Sequence, residues 1–335
     1  MIVGAGFAGA ATAYHLTRRG VADVVVVEAE GRPGAHASGR NASLVFQLLK
    51  DPEEARLVME GARFYEKPPE GFSERPLFRR CGSLLVASRE GAKDLEAAAR
   101  DAGALGLAVG IFNAADAVAR VPVLEGSPIE VALENPADGV VDIVRLLEGY
   151  LSAAVAGGAR IRYGARVTRV ETSGGRVSAV VAGGERIACR CLVNAAGAWA
   201  GEVGELAGAG TRSIEAFRRH IFQTEPDRRI DPAGPFVWHD DIDVYFRPEA
   251  GGFITSACDT ELHPPADVAV DPRAERLLRE KLAAAFPKLA SARIASSRAC
   301  LRTFAADGRP LIGRDPELEG LVWVAALGGH GMSAS

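Results

Sequence analysis

A glycine-rich segment near the start of the chain has the residue types and spacing that hold a phosphate group. Residues 4–9 read GAGFAG, a G-x-G-x-x-G pattern. The first glycine permits a tight turn, the second lets backbone approach a pyrophosphate, and the third lets a helix pack on a strand. Free N–H groups at the start of that helix favour an anion. Glu28 stands nineteen residues after Gly9, where a carboxylate suits a ribose 2′-hydroxyl. The pattern predicts a dinucleotide site.

A second set of residues, in the later part of the chain, could bind a carboxylate. Arg219 and Arg302 carry the planar guanidinium group whose geometry matches two carboxylate oxygens, and Tyr245 offers a hydroxyl. An arginine or tyrosine on a strand is more often a surface ion pair or a packing residue. The residue types alone therefore leave the role of these three side chains open.

The elements that must position these residues can be predicted from periodicity and turn signals. Met1–Val3, Phe7–Arg19 and Asp23–Glu28 predict a strand, a helix and a strand, the βαβ opening of an α/β domain. Further helices are predicted over residues 43–65, 93–103, 142–157 and 272–286. Further strands are predicted over residues 84–88, 131–135, 161–170, 176–181, 186–194 and 321–326, with a strand-rich region at 213–256.

Composition excludes several classes of protein. The 335 residues are 48% hydrophobic and 24% charged, with a net charge of −4 and no basic stripe, so we expect no nucleic-acid partner. No apolar stretch approaches the roughly 20 residues of a membrane span. The five cysteines are scattered, which favours free thiols and no metal site. We expect a cytoplasmic location, with peripheral attachment to a membrane left open.

Three more segments favour FAD over NAD as the dinucleotide. Residues 32–41 form a loop rich in small residues and donors, and residues 192–199 read as an apolar strand running into small residues. Residues 306–313 read ADGRPLIG and precede a GGHG segment at 328–331. The order of these motifs resembles the D-amino-acid oxidase family of flavoproteins, and the resemblance spans nearly the whole chain.

The resemblance implies a Rossmann-type FAD-binding domain interwoven with an α+β substrate-binding domain built on an antiparallel sheet. We assign residues 1–75, 140–210 and 299–335 to the first domain, and residues 76–139 and 211–298 to the second. The residues that it places at FAD are Gly4, Gly6, Phe7, Ala8, Gly9, Glu28, Ala29, His36, Ser38, Gly39, Arg40, Asn41, Ala42, Val167, Ala195, Gly197, Trp199, Arg302, Gly328, Gly329, Gly331 and Met332.

The resemblance also gives roles to the candidate substrate residues. It implies that Arg302 pairs with the substrate carboxylate, that Arg219 and Tyr245 assist, and that the Gly329 carbonyl accepts a hydrogen bond from the substrate amine. His330 is included among the catalytic candidates, although packing is the commoner role for such a residue. No general base is assigned, because an ammonium can lose its proton to solvent.

Within the family the chain is most like bacterial D-arginine dehydrogenases, but three pocket positions depart from them. An acidic residue that meets the guanidinium group is replaced by Ser83, and a histidine and a tyrosine are replaced by Leu44 and Leu49. Loss of the acid and gain of two leucines predict a neutral or apolar amino acid as the substrate.

The expected reaction is oxidative deamination of an amino acid, in which hydride passes from the α-carbon to flavin N5 and a 2-oxo acid and ammonia result. The electron acceptor is oxygen, a quinone or another carrier. Three alternatives stay open: a glycine- or sarcosine-type secondary-amine oxidase, an NAD-linked dehydrogenase, and a non-catalytic flavoprotein subunit. Both ends of the sequence are short against relatives, which predicts an incomplete chain.

Overall fold

A computed structural model describes all of residues 1–335. None of its helices combines the length and the hydropathy that crossing a membrane requires. The seven α-helices are α1 (Phe7–Arg18), α2 (Pro52–Glu66), α3 (Ala92–Ala104), α4 (Ala114–Arg120), α5 (Ile143–Ala156), α6 (Ala200–Leu206) and α7 (Pro272–Ala285).

The strands form four sheets. They are β1 (Ile2–Val3), β2 (Val25–Val27), β3 (Leu44–Val45), β4 (Phe78–Arg80), β5 (Ser83–Ala87), β6 (Gly110–Asn113), β7 (Val131–Asn135), β8 (Gly139–Val141), β9 (Arg160–Arg162), β10 (Val167–Ser173), β11 (Arg176–Ala182), β12 (Glu185–Ala188), β13 (Leu192–Asn194), β14 (Glu215–Thr224), β15 (Phe236–His239), β16 (Val244–Glu249), β17 (Gly252–Ser256), β18 (Glu261–Leu262), β19 (Ile294–Phe304), β20 (Leu311–Arg314) and β21 (Leu321–Ala325).

A six-stranded sheet in the order β20-β21-β13-β1-β2-β9 carries the glycine-rich turn. All its neighbouring strands are parallel except β20, which is antiparallel to β21. The three valines of β2 are buried, as expected for a parallel strand covered on both faces. Gly4, Glu28 and Ala195 directly follow the carboxyl ends of β1, β2 and β13, the edge where such sheets bind ligands.

A nine-stranded, mostly antiparallel sheet forms the other large layer. Its single parallel pair joins β15 to β5. Strand β14 pairs with β17 and β18 and, over its whole length, with β19. In this register Arg219 lies opposite Cys300. The predicted fold, a Rossmann-type layer interwoven with an antiparallel one, is confirmed. The smaller sheets are β10-β11-β12 and β3-β8-β4.

The chain passes repeatedly between the sheets. Strands β5 to β7 belong to the nine-stranded sheet, β9 and β13 to the six-stranded one, and β14 to β19 to the nine-stranded one again. This order agrees with woven domains, but the predicted domain boundaries stay predictions. Strand β19 crosses the boundary drawn at residue 299.

Several predicted elements are confirmed and others are corrected. Helix α5 begins where expected, because the Asp142 side chain accepts a hydrogen bond from the Arg145 N–H at 3.0 Å. The predicted helix over 43–65 is wrong in its first part. Strand β3 occupies 44–45, and α2 begins only after Asp51, whose side chain caps it. The predicted strand over 161–170 is split at Gly164, where φ is +64°. The one over 186–194 divides between two sheets.

Candidate functional site

The glycine-rich turn opens into an elongated first cavity. Gly4 has φ +101°, and a Cβ built on it would lie 2.4 Å from the Ala195 carbonyl oxygen. A Cβ on Gly9 would lie 1.9 Å from the Gly4 carbonyl oxygen. A side chain on Gly9 would push α1 away from β1, and a side chain on Gly4 would clash with the chain that follows β13, so both glycines are required by close packing. Gly4, Gly6, Phe7 and Ala8 line the cavity, whereas Gly9 lies behind them.

Helix α1 begins at this cavity without a side-chain cap. The Phe7 N–H donates to the Ser38 hydroxyl at 3.0 Å, and the Ala5 N–H donates to Glu28 Oε2 at 2.7 Å. The N–H groups of Gly6 and Ala8 have no acceptor within the chain. These groups and the helix dipole suit an anion such as a pyrophosphate.

Glu28 is held in place at the end of β2. Its two oxygens accept hydrogen bonds from the Ala5 and Glu30 N–H groups, at 2.7 and 3.0 Å. Each carboxylate oxygen keeps further acceptor capacity, and the side chain lines the first cavity. The arrangement leaves acceptor capacity on Glu28 for a sugar hydroxyl, and binding of the ribose by Glu28 stays a prediction.

The loop after Glu28 is ordered by its own side chains. The Asn41 amide donates to the Ser38 carbonyl at 2.7 Å, which fixes the turn that presents Ser38 to α1. His36 Nε2 lies 3.0 Å from Glu30 Oε1, and the His36 ring centroid lies 4.6 Å from that of Trp199. The loop therefore forms one wall of the first cavity.

Most of the predicted FAD residues are brought together at this cavity. Beyond those already named, its lining includes Glu28, Ala29, His36, Ser38, Arg40, Asn41, Val167, Ala195, Gly197, Trp199, Arg302, Gly329, Gly331 and Met332. Gly9, Gly39 and Gly328 do not line it. Gly39 packs on Gly34, because a Cβ on Gly39 would lie 2.4 Å from the Gly34 carbonyl oxygen. Ala42 lines a second cavity instead.

Arg219 and Arg302 lie on the paired strands β14 and β19 and both line the first cavity. Neither forms a salt bridge with a carboxylate of the chain, and the Arg302 guanidinium has no hydrogen-bond partner. Burial, followed by the nearby Arg219 charge, lowers the pKa of Arg302. Arg302 is half-buried, and its unpaired guanidinium at the cavity wall offers a site for a ligand anion.

The Tyr245 hydroxyl is also available to a ligand. Tyr245 is fully buried on β16, and its hydroxyl has no hydrogen-bond partner in the structure. Burial raises the pKa of this hydroxyl, and Arg302 and Arg219 are close enough to oppose that shift. Arg219, Arg302 and Tyr245, the three residues predicted to bind a carboxylate, therefore lie near one another where the two cavities meet.

Gly329 and His330 lie beside Arg302. A Cβ on Gly329 would be 2.9 Å from Arg302 Nε, so only glycine fits against the guanidinium. Burial, followed by the Arg302 charge, lowers the pKa of His330 to about 4. The His330 ring is consequently neutral at pH 7.

A second cavity of about 570 Å³ meets the first at Asn41, Arg302, Gly329 and Met332. It is lined mainly by apolar side chains, among them Ala42, Leu44, Phe46, Leu48, Leu49 and Trp238, together with Tyr245 and His330. Four charged residues also line it: Lys50, Asp94, Asp101 and Asp240.

Leu44 and Leu49 line this cavity, which agrees with the prediction. Phe46 and Trp238 also line it and were not predicted from the sequence. Their rings are stacked with centroids 5.8 Å apart. The Trp238 N–H donates to Asp243 Oδ1 at 3.2 Å, which fixes the indole. The only sequence signal for this wall of the cavity was Trp238, an aromatic residue inside the strand-rich region at 213–256.

The predicted position of Ser83 in the substrate pocket is corrected. Ser83 is fully buried on β5 and lines neither cavity. Its hydroxyl donates to Asp138 Oδ2 at 2.6 Å, in a network that the Gln47 and Asn135 side chains complete. Burial raises the pKa of Asp138 to about 7. Ser83 therefore stabilises the fold and does not face a ligand.

The residues present fit FAD. The uncapped start of α1 and Glu28 supply sites for a pyrophosphate and a ribose, and the first cavity continues from them to Arg302. The family described as FAD dependent oxidoreductase (DAO) matches residues 1–335. The chain belongs to this family. The NAD-linked alternative is set aside, because this family uses FAD.

Three curated relatives of this FAD-dependent oxidoreductase are larger proteins, of which the chain spans about two fifths. 4-Methylaminobutanoate oxidase (formaldehyde-forming) of Paenarthrobacter nicotinovorans is 26% identical over 99% of this chain and 41% of its own length. Sarcosine dehydrogenase of Mus musculus is 27% identical over 99% of this chain and 38% of its own length. The pyruvate dehydrogenase phosphatase regulatory subunit of Mus musculus is 24% identical over 99% and 39%.

Solved structures share the fold. L-proline dehydrogenase of P. horikoshii superposes with a TM-score of 0.88, at 22% identity over 99% of this chain and 89% of that one. Glycine oxidase of Geobacillus kaustophilus superposes with a TM-score of 0.84, at 22% identity over 99% of this chain and 90% of that one. These structures show the fold alone, and none of the comparisons singles out D-arginine dehydrogenase.

Proposed function

We propose that this chain catalyses oxidative deamination of a neutral or apolar amino acid, with D-amino acids as the predicted class. The observation that carries this proposal is the Arg302 guanidinium, which stands without an internal partner where the two cavities meet. One cavity fits the cofactor and the other has room for a side chain. A substrate carboxylate at Arg302 would have its α-carbon between them.

The chain's own residues bind and orient the substrate. Arg302 and Arg219 hold the carboxylate, Tyr245 donates its hydroxyl hydrogen, and the Gly329 carbonyl accepts from the amine. Fixing the substrate in this way makes the transfer effectively unimolecular. When bound, FAD supplies the two-electron acceptor. The substrate loses two electrons and two protons to give an imine, and water converts the imine into a 2-oxo acid and ammonia.

His330 is a further polar side chain that lines the second cavity. Its lowered pKa keeps it neutral at pH 7, so it adds no charge beside Arg302. We assign its side chain a packing role, and no residue is assigned as a general base. The electron acceptor stays open among oxygen, a quinone and another carrier, and a cytoplasmic location stays a prediction.

The shape of the second cavity supports the substrate class. A volume of about 570 Å³ exceeds what glycine or sarcosine would fill, and apolar side chains form more than half of its lining. Leu44 and Leu49 stand where a cationic side chain would need polar partners. Asp94, Asp101 and Asp240 also line this cavity, so a cationic substrate is the competing outcome that must be measured.

A secondary amine is the second candidate substrate class. The names of the relatives support it: 4-methylaminobutanoate, sarcosine and L-proline all carry a secondary amine. The same arginines would bind the carboxylate, and the second cavity would hold the nitrogen substituent. A non-catalytic subunit is supported only by the regulatory subunit among the relatives. The free guanidinium of Arg302 and the free hydroxyl of Tyr245 speak against that role.

The test is the Arg302→Lys variant, loaded with FAD and mixed anaerobically with amino acids. Lysine keeps the charge but loses the planar fork, so we expect flavin reduction to slow by about 100-fold or more at low substrate concentration. Arg309→Lys is the matched control, because Arg309 is an exposed arginine of the same region that pairs with Asp51. Equal reduction rates in the two variants would contradict the proposal.

A further inference from the structure

The segment between β17 and α7 forms part of the wall of the first cavity. We call residues 259–271 the strap. Ala266 and Val268 line the cavity from the strap, and Val268 is buried against Ala216 and Leu301. Apart from the two residues of β18, the strap has no regular secondary structure. The pairing of β18 with β14 and the packing of Val268 fix its middle, so the contacts at its two ends set the position of the rest.

Both ends of the strap are fastened to one buried imidazole. His220 on β14 is 1% exposed. Its Nδ1 lies 2.7 Å from Asp259 Oδ2, at the first residue of the strap. Its Nε2 accepts a hydrogen bond from the Asp271 N–H at 2.9 Å, at the last residue of the strap. The thirteen-residue segment is thus closed into a loop by a single side chain.

These two contacts fix the tautomer of His220. A ring nitrogen that accepts a hydrogen bond carries no hydrogen, so the proton of the neutral imidazole is on Nδ1. Nδ1–H then donates to the Asp259 carboxylate. The His220 backbone N–H donates to the other Asp259 oxygen at 3.0 Å, which locks that carboxylate in place.

The same anchor orients a substrate residue. The Asp259 backbone carbonyl accepts a hydrogen bond from Arg219 Nε at 3.1 Å. With Nε engaged, the two terminal nitrogens of Arg219 are left for a ligand. Arg219 lines the first cavity, so the position of its guanidinium depends on Asp259 and, through Asp259, on His220.

We propose that His220 is a positioning residue that holds the strap over the cofactor cavity and aims Arg219 into it. The part that concerns FAD rests on the family alone, and only the part that concerns Arg219 rests on the proposed function. His220 contacts neither ligand directly; it acts through Asp259 and the strap.

Other contacts also hold the strap. Strand β18 pairs with β14, the His263 N–H donates to the Ala216 carbonyl at 2.9 Å, and Arg218 Nη1 donates to the Ala269 carbonyl at 3.4 Å. Arg40 pairs with Asp267 at 2.6 Å, but the Asp267 side chain is 68% exposed, and exposed pairs contribute little. Arg218 binds Asp271 Oδ2 at 2.8 Å on the outer side of the strap. Removing the His220 contacts should therefore loosen the two ends of the strap, while the pairing of β18 with β14 keeps its middle in place.

The experiment compares His220→Phe with His220→Gln in FAD-loaded protein. Phenylalanine keeps the ring shape but has neither donor nor acceptor, whereas glutamine offers one of each. We expect His220→Phe to release FAD about tenfold faster and to be cut by thermolysin within the strap. Glutamine should restore release to near the wild-type rate. In amine oxidation, His220→Phe should raise KM more than it lowers kcat.

His263→Gln is the control, because His263 lies on the strap and its ring contacts only the neighbouring Pro264 carbonyl. Asp259→Ala is a second route to the same loss if His220→Phe does not fold. Wild-type FAD release and protease resistance in the folded His220→Phe variant, or in Asp259→Ala if His220→Phe does not fold, would overturn the inference. FAD release and proteolysis need no substrate, so they test the strap even if no amine reduces the flavin.

Discussion

Gly329 lies directly against the Arg302 guanidinium. Its φ is +100°, and a Cβ at this position would be 2.9 Å from both Arg302 Nε and Cζ. Gly329→Ala should therefore strain the backbone and displace the guanidinium. We expect KM for the amino acid to rise about tenfold or more while FAD stays bound, measured by steady-state kinetics and by flavin absorbance.

Gly313→Ala is the matched control for that variant. Gly313 also has a positive φ, +155°, but no atom lies within 4 Å of the position that its Cβ would occupy. It should share the backbone strain and leave KM unchanged. A rise in KM of the same size in both variants would show that strain, and not the contact with Arg302, is responsible.

Tyr245→Phe should weaken substrate binding without lowering the stability of the fold. The hydroxyl is buried without a partner in the ligand-free protein, so its removal should leave Tm unchanged or raise it. A hydrogen bond to a charged carboxylate contributes about 1.5–3 kcal/mol, so KM should rise by about tenfold or more. Thermal unfolding and kinetics on the same preparation test both halves. A lowered Tm with unchanged KM would mean that Tyr245 only packs.

Ser83→Ala should lower the stability of the fold and leave substrate binding unchanged. It removes a donor from the buried Asp138 carboxyl and should destabilise the protein by about 1–3 kcal/mol. KM should not change, because Ser83 lines neither cavity. Ser152→Ala on the exposed face of α5 is the control for stability. A change in substrate preference in Ser83→Ala would restore the position that the sequence suggested for it.

The pH dependence of stability should report His330. Its pKa is about 4 in the folded chain against 6.5 for a free histidine, so the unfolded state binds a proton that the folded state does not. The stability associated with the neutral ring is present above pH 6.5 and is lost as the pH falls toward 4. We expect His330→Gln to flatten the fall in Tm over this range, and His263→Gln to leave it unchanged. Parallel curves for His330→Gln and the wild type would contradict the assignment.

The cofactor end of the site could be predicted from sequence because it is built from short-range patterns. Gly4, Gly9 and Glu28 belong to one βαβ unit, so their spacing nearly determines their geometry. The helical periodicity and the Asp142 cap likewise placed α5 correctly. These are features in which each residue contacts near neighbours in the chain.

The substrate end could not be predicted from spacing alone. Arg219 and Arg302 meet because β14 pairs with the distant β19, and nothing local in either strand specifies that register. Ser83 was misplaced because all five residues of β5 are buried, so alternation could not show which side faces a ligand. Phe46 and Trp238 stack only because β3 and β15 bring separate segments together.

The most direct test of the central claim is anaerobic flavin reduction by a panel of amino acids in the FAD-loaded protein. The panel comprises glycine, sarcosine, and both enantiomers of alanine, leucine, phenylalanine and arginine. Binding of the carboxylate at Arg302 and of an apolar side chain in the second cavity predicts that D-leucine or D-phenylalanine reduces the flavin fastest. Fastest reduction by arginine would contradict the neutral pocket, and fastest reduction by sarcosine would favour the secondary-amine alternative. Bound FAD that no member of the panel reduces would contradict the amino-acid site itself.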